Sequence, residues 1–453
     1  MHLIAEYVQQ FRRFQRNARL FLISNVLSGV TAGILLVLYN LYLVSLGYHT
    51  DFIGALLFVG TIGAGLTIFP AGICVDRFSS KAILIGSSAL IGVAGAGQIL
   101  FRQPLPLLIS AFVAGVGLAF LLVVTAPFLT ANSTPEERSH LFSMNISLGL
   151  VTLVIGEVLG GALPTWFRSL PWLMSPLPPW ADSLLASQPD PRSYQLALLF
   201  AGAIALPSFI PLFMLSNDRP PSRRGGRERL RRPLRGEVTL SFTISRVKTL
   251  LRSPFFFLVL VYLLTGFGAG LFVPYFNIYF VQHLNASPAL FGLIDGGANA
   301  ITALFTLVAP LLARRVGKIN TIALTRLASI PILLTIGLTS ILPLAALLYL
   351  FRQGVMDMSL GILQVFSMES VSEQNRGLAN SSYQVGFQVP WALAAPIGGL
   401  IIVHFGYPPV FLLGAFCYLL TIIVLWGRFG WRGSERSDDK KASSQPVQER
   451  VIL

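Results

Sequence analysis

Four ionisable residues, Glu157, Asp295, Arg352 and Asp357, fall inside long apolar runs of this chain. A charge held in hydrocarbon costs at least about 2.5–3.5 kcal/mol on insertion scales, so each needs a partner or a task. At about 1.5 Å per helical residue, Glu157 lies about 24 Å from one expected end of its run. Asp295 and Arg352 lie about 10 and 12 Å from the opposite ends of theirs, which brings all three to a similar level. Two acids and one base at one depth leave a balance that a proton or a cationic substrate completes. Glu157 or Asp295, desolvated when that side closes, is the expected carrier of a coupling proton, with Arg352 paired to the carboxylate left ionised. A static Asp295–Arg352 or Glu157–Arg352 ion pair holding helices together is the structural alternative. Asp357, near mid-membrane, reads as a cavity group.

Polar side chains recur at helical spacing around these charges. Asp295, Asn299, Thr302 and Thr306 share one face, and Gln353, Asp357 and Gln364 nearly repeat the spacing. Gln384, Gln388 and Trp391 form a third stripe, and Ser24, Ser28 and Thr31 a fourth. Interhelical hydrogen bonding explains any one stripe. Four together point to a shared water-filled cavity, because such faces are costly in lipid. Tyr39, Asn40 and Tyr42 match Tyr275, Asn277 and Tyr279 near the outer ends of two runs. They read as aromatic-belt anchors or, for the asparagines, as an outer gate.

The elements that must hold these residues follow from composition. With 54% hydrophobic and 11% charged residues in 453, and a mean hydropathy of +0.70, the chain is not a soluble globule. Twelve apolar runs lie near 20–46, 51–74, 82–101, 105–130, 141–165, 194–215, 255–282, 288–312, 319–341, 344–367, 378–404 and 408–427. Each reaches or approaches the ~20 residues that cross about 30 Å of hydrocarbon. Their Gly and Pro content suits packed membrane helices, and they lack the alternation of barrel strands. The expected fold is an all-α membrane protein of twelve transmembrane helices in two pseudo-symmetric six-helix bundles. Its expected parts are a cytoplasmic amphipathic N-terminus (1–19), a first bundle (20–215), a basic cytoplasmic linker (216–254), a second bundle (255–427) and a disordered tail (428–453).

Arg12, Arg13, Arg16 and Arg19 precede the first run, and Arg77, Lys81, Arg138, Arg314, Arg315, Lys318 and Arg376 follow an even number of crossings later. That bias places both termini in the cytoplasm, in a plasma or inner membrane. The net charge of +14 then faces an anionic leaflet and requires no nucleic-acid partner. Residues 1–19 are too charged for a removable signal, so the first run is expected to remain as a helix. Trp166, Trp172 and Trp180 in the outer loop 166–193 read as headgroup anchors or as parts of a lid. Cys74 and Cys417 fall in or beside apolar runs, which argues against a disulfide. No His-Glu-x-x-His or Gly-x-x-x-x-Gly-Lys-Ser/Thr occurs, and the five histidines lack ligand spacing. Neither an enzyme, a metal, a cofactor nor ATP is therefore expected.

The chain also repeats itself. A constant offset aligns Asp76-Arg77 with Arg314-Arg315, Arg138 with Arg376, and Gly160-Gly161 with Gly398-Gly399. One residue less aligns Gly29, Gly33 and Asn40 with Gly266, Gly270 and Asn277. Duplicated halves in a membrane protein imply alternating access about a central site.

Gly72, Asp76, Arg77 and Lys81, between the second and third runs, resemble the loop signature of the major facilitator superfamily. The resemblance extends to twelve helices, duplicated halves and a basic central loop. It implies a monomer whose acid–base pair latches a cytoplasmic gate: Asp76 and Arg77 with Arg138, and weaker counterparts at Arg314 and Arg315. Ser80 departs from the basic residue usual there, and Arg314 replaces the acid of the second copy. Gly156-Glu157-Val158-Leu159-Gly160-Gly161 resembles the Gly-Pro-x-x-Gly-Gly of drug–proton antiporters, with Glu157 in place of Pro. These likenesses imply a proton-coupled exporter of a small amphiphilic neutral or cationic compound. A proton-coupled importer of an organic anion or nutrient, with Arg352 binding its carboxylate or phosphate, is the alternative. A lipid scramblase or sensor is the non-transport one.

Overall fold

The structure is a computed structural model that describes residues 11, 13–176, 178–182, 184–216, 253–371 and 376–443. Residues 76, 136, 139, 179, 180, 376–378 and 431–443 are described for their backbone alone. Twelve helices are long and apolar enough to cross a membrane. They are α1 (Arg16–Ser45), α2 (Thr50–Val75), α3 (Ser80–Leu100), α4 (Pro104–Ala131), α5 (His140–Arg168) and α6 (Pro189–Phe213) in the first half. The second half holds α7 (Pro254–His283), α8 (Pro288–Val316), α9 (Lys318–Leu338), α10 (Leu342–Glu369), α11 (Ala379–Phe405) and α12 (Pro408–Gly430). No strand occurs among the described residues.

Local chemistry sets the helix ends. The Ser79, Ser253 and Ser287 hydroxyls accept from the backbone N–H groups of Ala82, Phe256 and Leu290, capping α3, α7 and α8. Gly317, at φ 85°, makes the left-handed turn between α8 and α9 that a side chain would strain. Two boundaries differ from expectation. The first helix begins at Arg16, inside the stretch assigned to an N-terminal segment. The last continues through Ser443, where a disordered tail was expected from 428. That stretch contains no proline, and a nucleated helix extends at little further cost. The linker lies outside the described residues over 217–252, as do residues 444–453.

The duplication is visible atom by atom. The Tyr42 hydroxyl on α1 donates to the Ile99 carbonyl at the end of α3, at 2.7 Å. At the matching place, the Tyr279 hydroxyl on α7 donates to the Ile336 carbonyl on α9. A methyl group on Gly33 would fall 2.1 Å from the Leu153 carbonyl oxygen of α5, and one on Gly270 2.3 Å from that of Trp391 on α11. Small residues are what let the backbones come this close.

The halves meet along two seams related in the same way. Gly161 on α5 lies against Pro288 of α8, and Gly399 on α11 against Thr50 of α2. The hydrogen bonds that cross between halves among the described residues join α1 to α7, α2 to α11 and α5 to α8. The α1–α7 and α2–α11 bonds lie at the end opposite the basic loops, and the α5–α8 bond starts from Glu157, about one turn deeper than Gly161. Toward the basic loops no hydrogen bond crosses between halves among the described residues. There Leu66 and Phe69 of α2 are 68% and 81% exposed, and Leu307 of α8 is 75% exposed.

Candidate functional site

Close backbone packing encloses a carboxylate where three helices converge. Gly156 of α5 lies against Val30 and Gly33 of α1, and Gly292 of α8 lies against the Glu157 carbonyl. Glu157 is consequently 0% exposed. The Asn299 amide of α8 donates to both of its oxygens, at 3.0 and 3.1 Å, which spans the seam between halves. One turn away on the same face, Asp295 accepts a hydrogen bond from the Tyr349 hydroxyl of α10 at 2.8 Å. The ion pairs among the described residues are Arg168–Asp190 and Lys318–Glu369, so neither acid has a cationic partner.

The duplicated seam serves as an internal control. Positions matching Glu157, Asp295 and Asn299 hold Ala395, Leu57 and Thr61 on α11 and α2. Thr61 turns back onto its own helix, to the Leu57 carbonyl at 2.9 Å. The twin seam therefore closes without a charge, and closure alone does not call for Glu157.

Arg352 stands apart from both acids, contrary to the expected pairing. Its guanidinium lies over the rings of Phe272 and Phe276, 5.1 and 5.7 Å from their centroids. It donates to the Gln353 side-chain oxygen and the Tyr418 hydroxyl, both at 3.3 Å. The rotation of α10 turns it into the second bundle, where aromatic faces attract a desolvated cation. The Gln353 amide in turn donates to Asp357 at 2.8 Å. Helix α10 breaks just beyond, between Leu342–Asp357 and Leu360–Glu369.

Arg326 on α9 is the member of this cluster that sequence reasoning missed. It is 1% exposed and donates to the Thr265 hydroxyl at 2.8 Å. The signal was present in Thr321, Thr325 and Ser329, a polar stripe at helical spacing beside it, all buried.

The remaining stripes divide. Gln384 and Gln388 are exposed and continue the face of α11 on which Ala395 meets Gly54 of α2, so they border the gap between halves. Trp391 is half-buried beside them. Thr302 and Thr306 bond back to their own helix. Thr31 instead donates to the Ala201 carbonyl of α6, away from any shared cavity.

Of the loop residues, Lys81 donates to the Phe213 and Leu215 carbonyls at 2.7 and 2.6 Å, capping α6 within its own half. Arg138 approaches the Thr130 carbonyl at 3.5 Å, also within its half. Gly72 has open space around it, and Arg77, Arg314 and Arg315 are exposed. The side chains of Asp76 and Arg376 lie outside the described residues. The far-side loop 166–193 is gathered around Arg192, which is 2% exposed and donates to the carbonyls of Leu173, Ser175, Ala186 and Ser187.

Comparison with known proteins gives a consistent picture. A family model described as Major Facilitator Superfamily matches residues 21–371 and 347–452. A search of curated proteins finds no match. Among solved structures, a bacterial homologue of the iron transporter ferroportin, in an inward-facing state, aligns with a TM-score of 0.68 at 18% identity, covering 91% of this chain and 98% of that one. A bacterial homologue of the human lysosomal transporter Spinster, inward-facing and unoccupied, aligns at 0.65 and 14%, covering 91% and 94%. A D-xylose–proton symporter aligns at 0.62 and 14%, covering 91% and 97%.

Proposed function

Since this chain belongs to the Major Facilitator Superfamily, a family of transporters and not of enzymes, we propose that it is a proton-coupled exporter of a small amphiphilic compound, working by alternating access. The observation that carries the coupling is the Glu157–Asn299 bond across the seam between halves. Opening the far side separates α5 from α8, which takes away the amide and admits water to the carboxylate. Proton occupancy at Glu157 is then tied to the state of the gate, as a coupled cycle requires. Asp295, held by Tyr349 one turn from Asn299, is the second acid of the relay. The proton in the name of one structural neighbour agrees with this reading. Export follows from the likeness of Gly156–Gly161 to the antiporter motif.

The substrate's charge is better judged on the new cluster than on the sequence. The neutral or cationic expectation rests on the Gly-rich motif of α5, on the net acidic charge within the membrane and on aromatic groups such as Trp391. Arg326 now adds a second cation, and both cations lie in the second half. That observation favours an organic anion as the second reading. We further propose a monomer in the cell membrane with its basic loops and termini cytoplasmic; the family resemblance of Gly72, Asp76, Arg77 and Arg138 supports a gate on that side.

Proteoliposomes with an imposed pH gradient test the coupling. Glu157→Gln is expected to abolish gradient-driven flux while leaving substrate exchange at equilibrium. Unchanged coupling in both Glu157→Gln and Asp295→Asn would eliminate the proposal.

A further inference from the structure

Three arginines among the described residues, Arg192, Arg326 and Arg352, are almost wholly enclosed, and they differ in what they bond. Arg192 directs its donors to four carbonyls of the far-side loop. Arg326 uses only Nη1, on Thr265, while its buried Nε and Nη2 have no partner. Those two nitrogens carry the parallel N–H bonds of one edge of the guanidinium, the fork that receives a carboxylate or phosphate in bidentate fashion. Arg352, across the same bundle, leaves its Nε unpartnered as well.

The nearby acid does not fill the fork. Asp357 lies within electrostatic reach of both guanidiniums, yet it accepts its hydrogen bond from Gln353 and pairs with neither. Asp357 and Gln353 are half-buried, whereas both arginines are buried, so the acid and the amide form the more open rim of the cluster. A two-residue turn, Met358–Ser359, interrupts α10 directly after Asp357 and ends the helical segment that carries the rim.

We propose that the Nε–Nη2 edge of Arg326, with Arg352 and Asp357 beside it, is the site that takes the oxyanion head, in the simplest case a carboxylate, of the transported amphiphile. Phe272 and Phe276, already stacked on Arg352, offer apolar surface next to that head. This assignment deepens the transporter reading and rests on it. It does not depend on Glu157.

The test is equilibrium binding to the full-length protein in lipid nanodiscs with no gradient, so that a failure of proton coupling leaves the result untouched. The probes are benzoate, its shape-matched amine and alcohol (benzylamine and benzyl alcohol), and inorganic phosphate. Benzoate is expected to bind, with the amine and the alcohol at least tenfold weaker. Arg326→Lys, which keeps the charge but removes the fork, is expected to weaken benzoate at least tenfold. Asp357→Asn, which removes the competing carboxylate, is expected to tighten it severalfold. That gain keeps the test decisive even if the lysine variant does not fold. Equal binding of benzoate and benzyl alcohol, or benzoate binding indifferent to both substitutions, would show a hydrated structural arginine and overturn the proposal. Binding of phosphate without benzoate would overturn it too, by assigning the fork to a resident inorganic ion.

Discussion

Asn40 and Asn277 occupy matching positions in the two halves and brace each other across the far side. The Asn40 amide donates to the Pro274 carbonyl at 2.8 Å, and the Asn277 amide to the Val37 carbonyl at 3.1 Å. The two side chains themselves approach to 3.4 Å. Sequence spacing allowed the pair to be either belt residues or a gate, and the structure makes them a cross-brace.

Removing that brace should favour the state open on the far side. Each bond contributes about 0.5–1.5 kcal/mol, so Asn40→Ala with Asn277→Ala is expected to shift the balance roughly tenfold. Spin labels at exposed Ser169 and Gln282 should then show a longer distance component. An unchanged distribution would mean the brace does not hold the gate.

The glycine seams allow closure and stability to be separated. A methyl at Gly161 would lie 2.4 Å from the Pro288 carbonyl, and one at Gly399 2.2 Å from that of Thr50, both between halves. Gly161→Ala and Gly399→Ala are expected to abolish transport with little change in Tm, because the halves can rest apart. Gly33→Ala places its clash inside the first half and should cost about 1–3 kcal/mol, seen as a lower Tm. Equal Tm losses in all three would refute the distinction.

Lys81 offers a test between two roles. Its bonds to the last carbonyls of α6 make it a helix cap, and a cation there contributes about 0.3–1 kcal/mol. Lys81→Gln should therefore lower Tm by roughly 1–3 °C, with partial rescue by Lys81→Arg. A pure gate latch would slow transport and leave Tm where it was.

The architecture was legible because hydrophobic length, basic-loop bias and an internal offset are properties of the chain itself. All twelve spans stand where the apolar runs lie. Glu157 and Asn299 were each marked on their own helices, but their bond depends on how α5 and α8 are rotated against each other. Close glycine contacts decide that rotation, and a single helix does not reveal it. Arg352 shows the same limit: its depth was read as level with the acids, while its direction is set by aromatic neighbours on α7. Thr31 failed for the same reason, since polar spacing cannot tell a wet gap from a carbonyl on α6.

The hydroxyls of Tyr42 and Tyr279 are each fastened to the carbonyl of an isoleucine near the end of the third helix of its own half. Identical bonds at both places point to a common inheritance, made before the gene doubled and kept by each copy since. The intramembrane charges Glu157, Asp295, Arg352 and Asp357 have no such twin. The repeated bond thus belongs to a scaffold common to both halves, whereas each intramembrane charge belongs to one half alone.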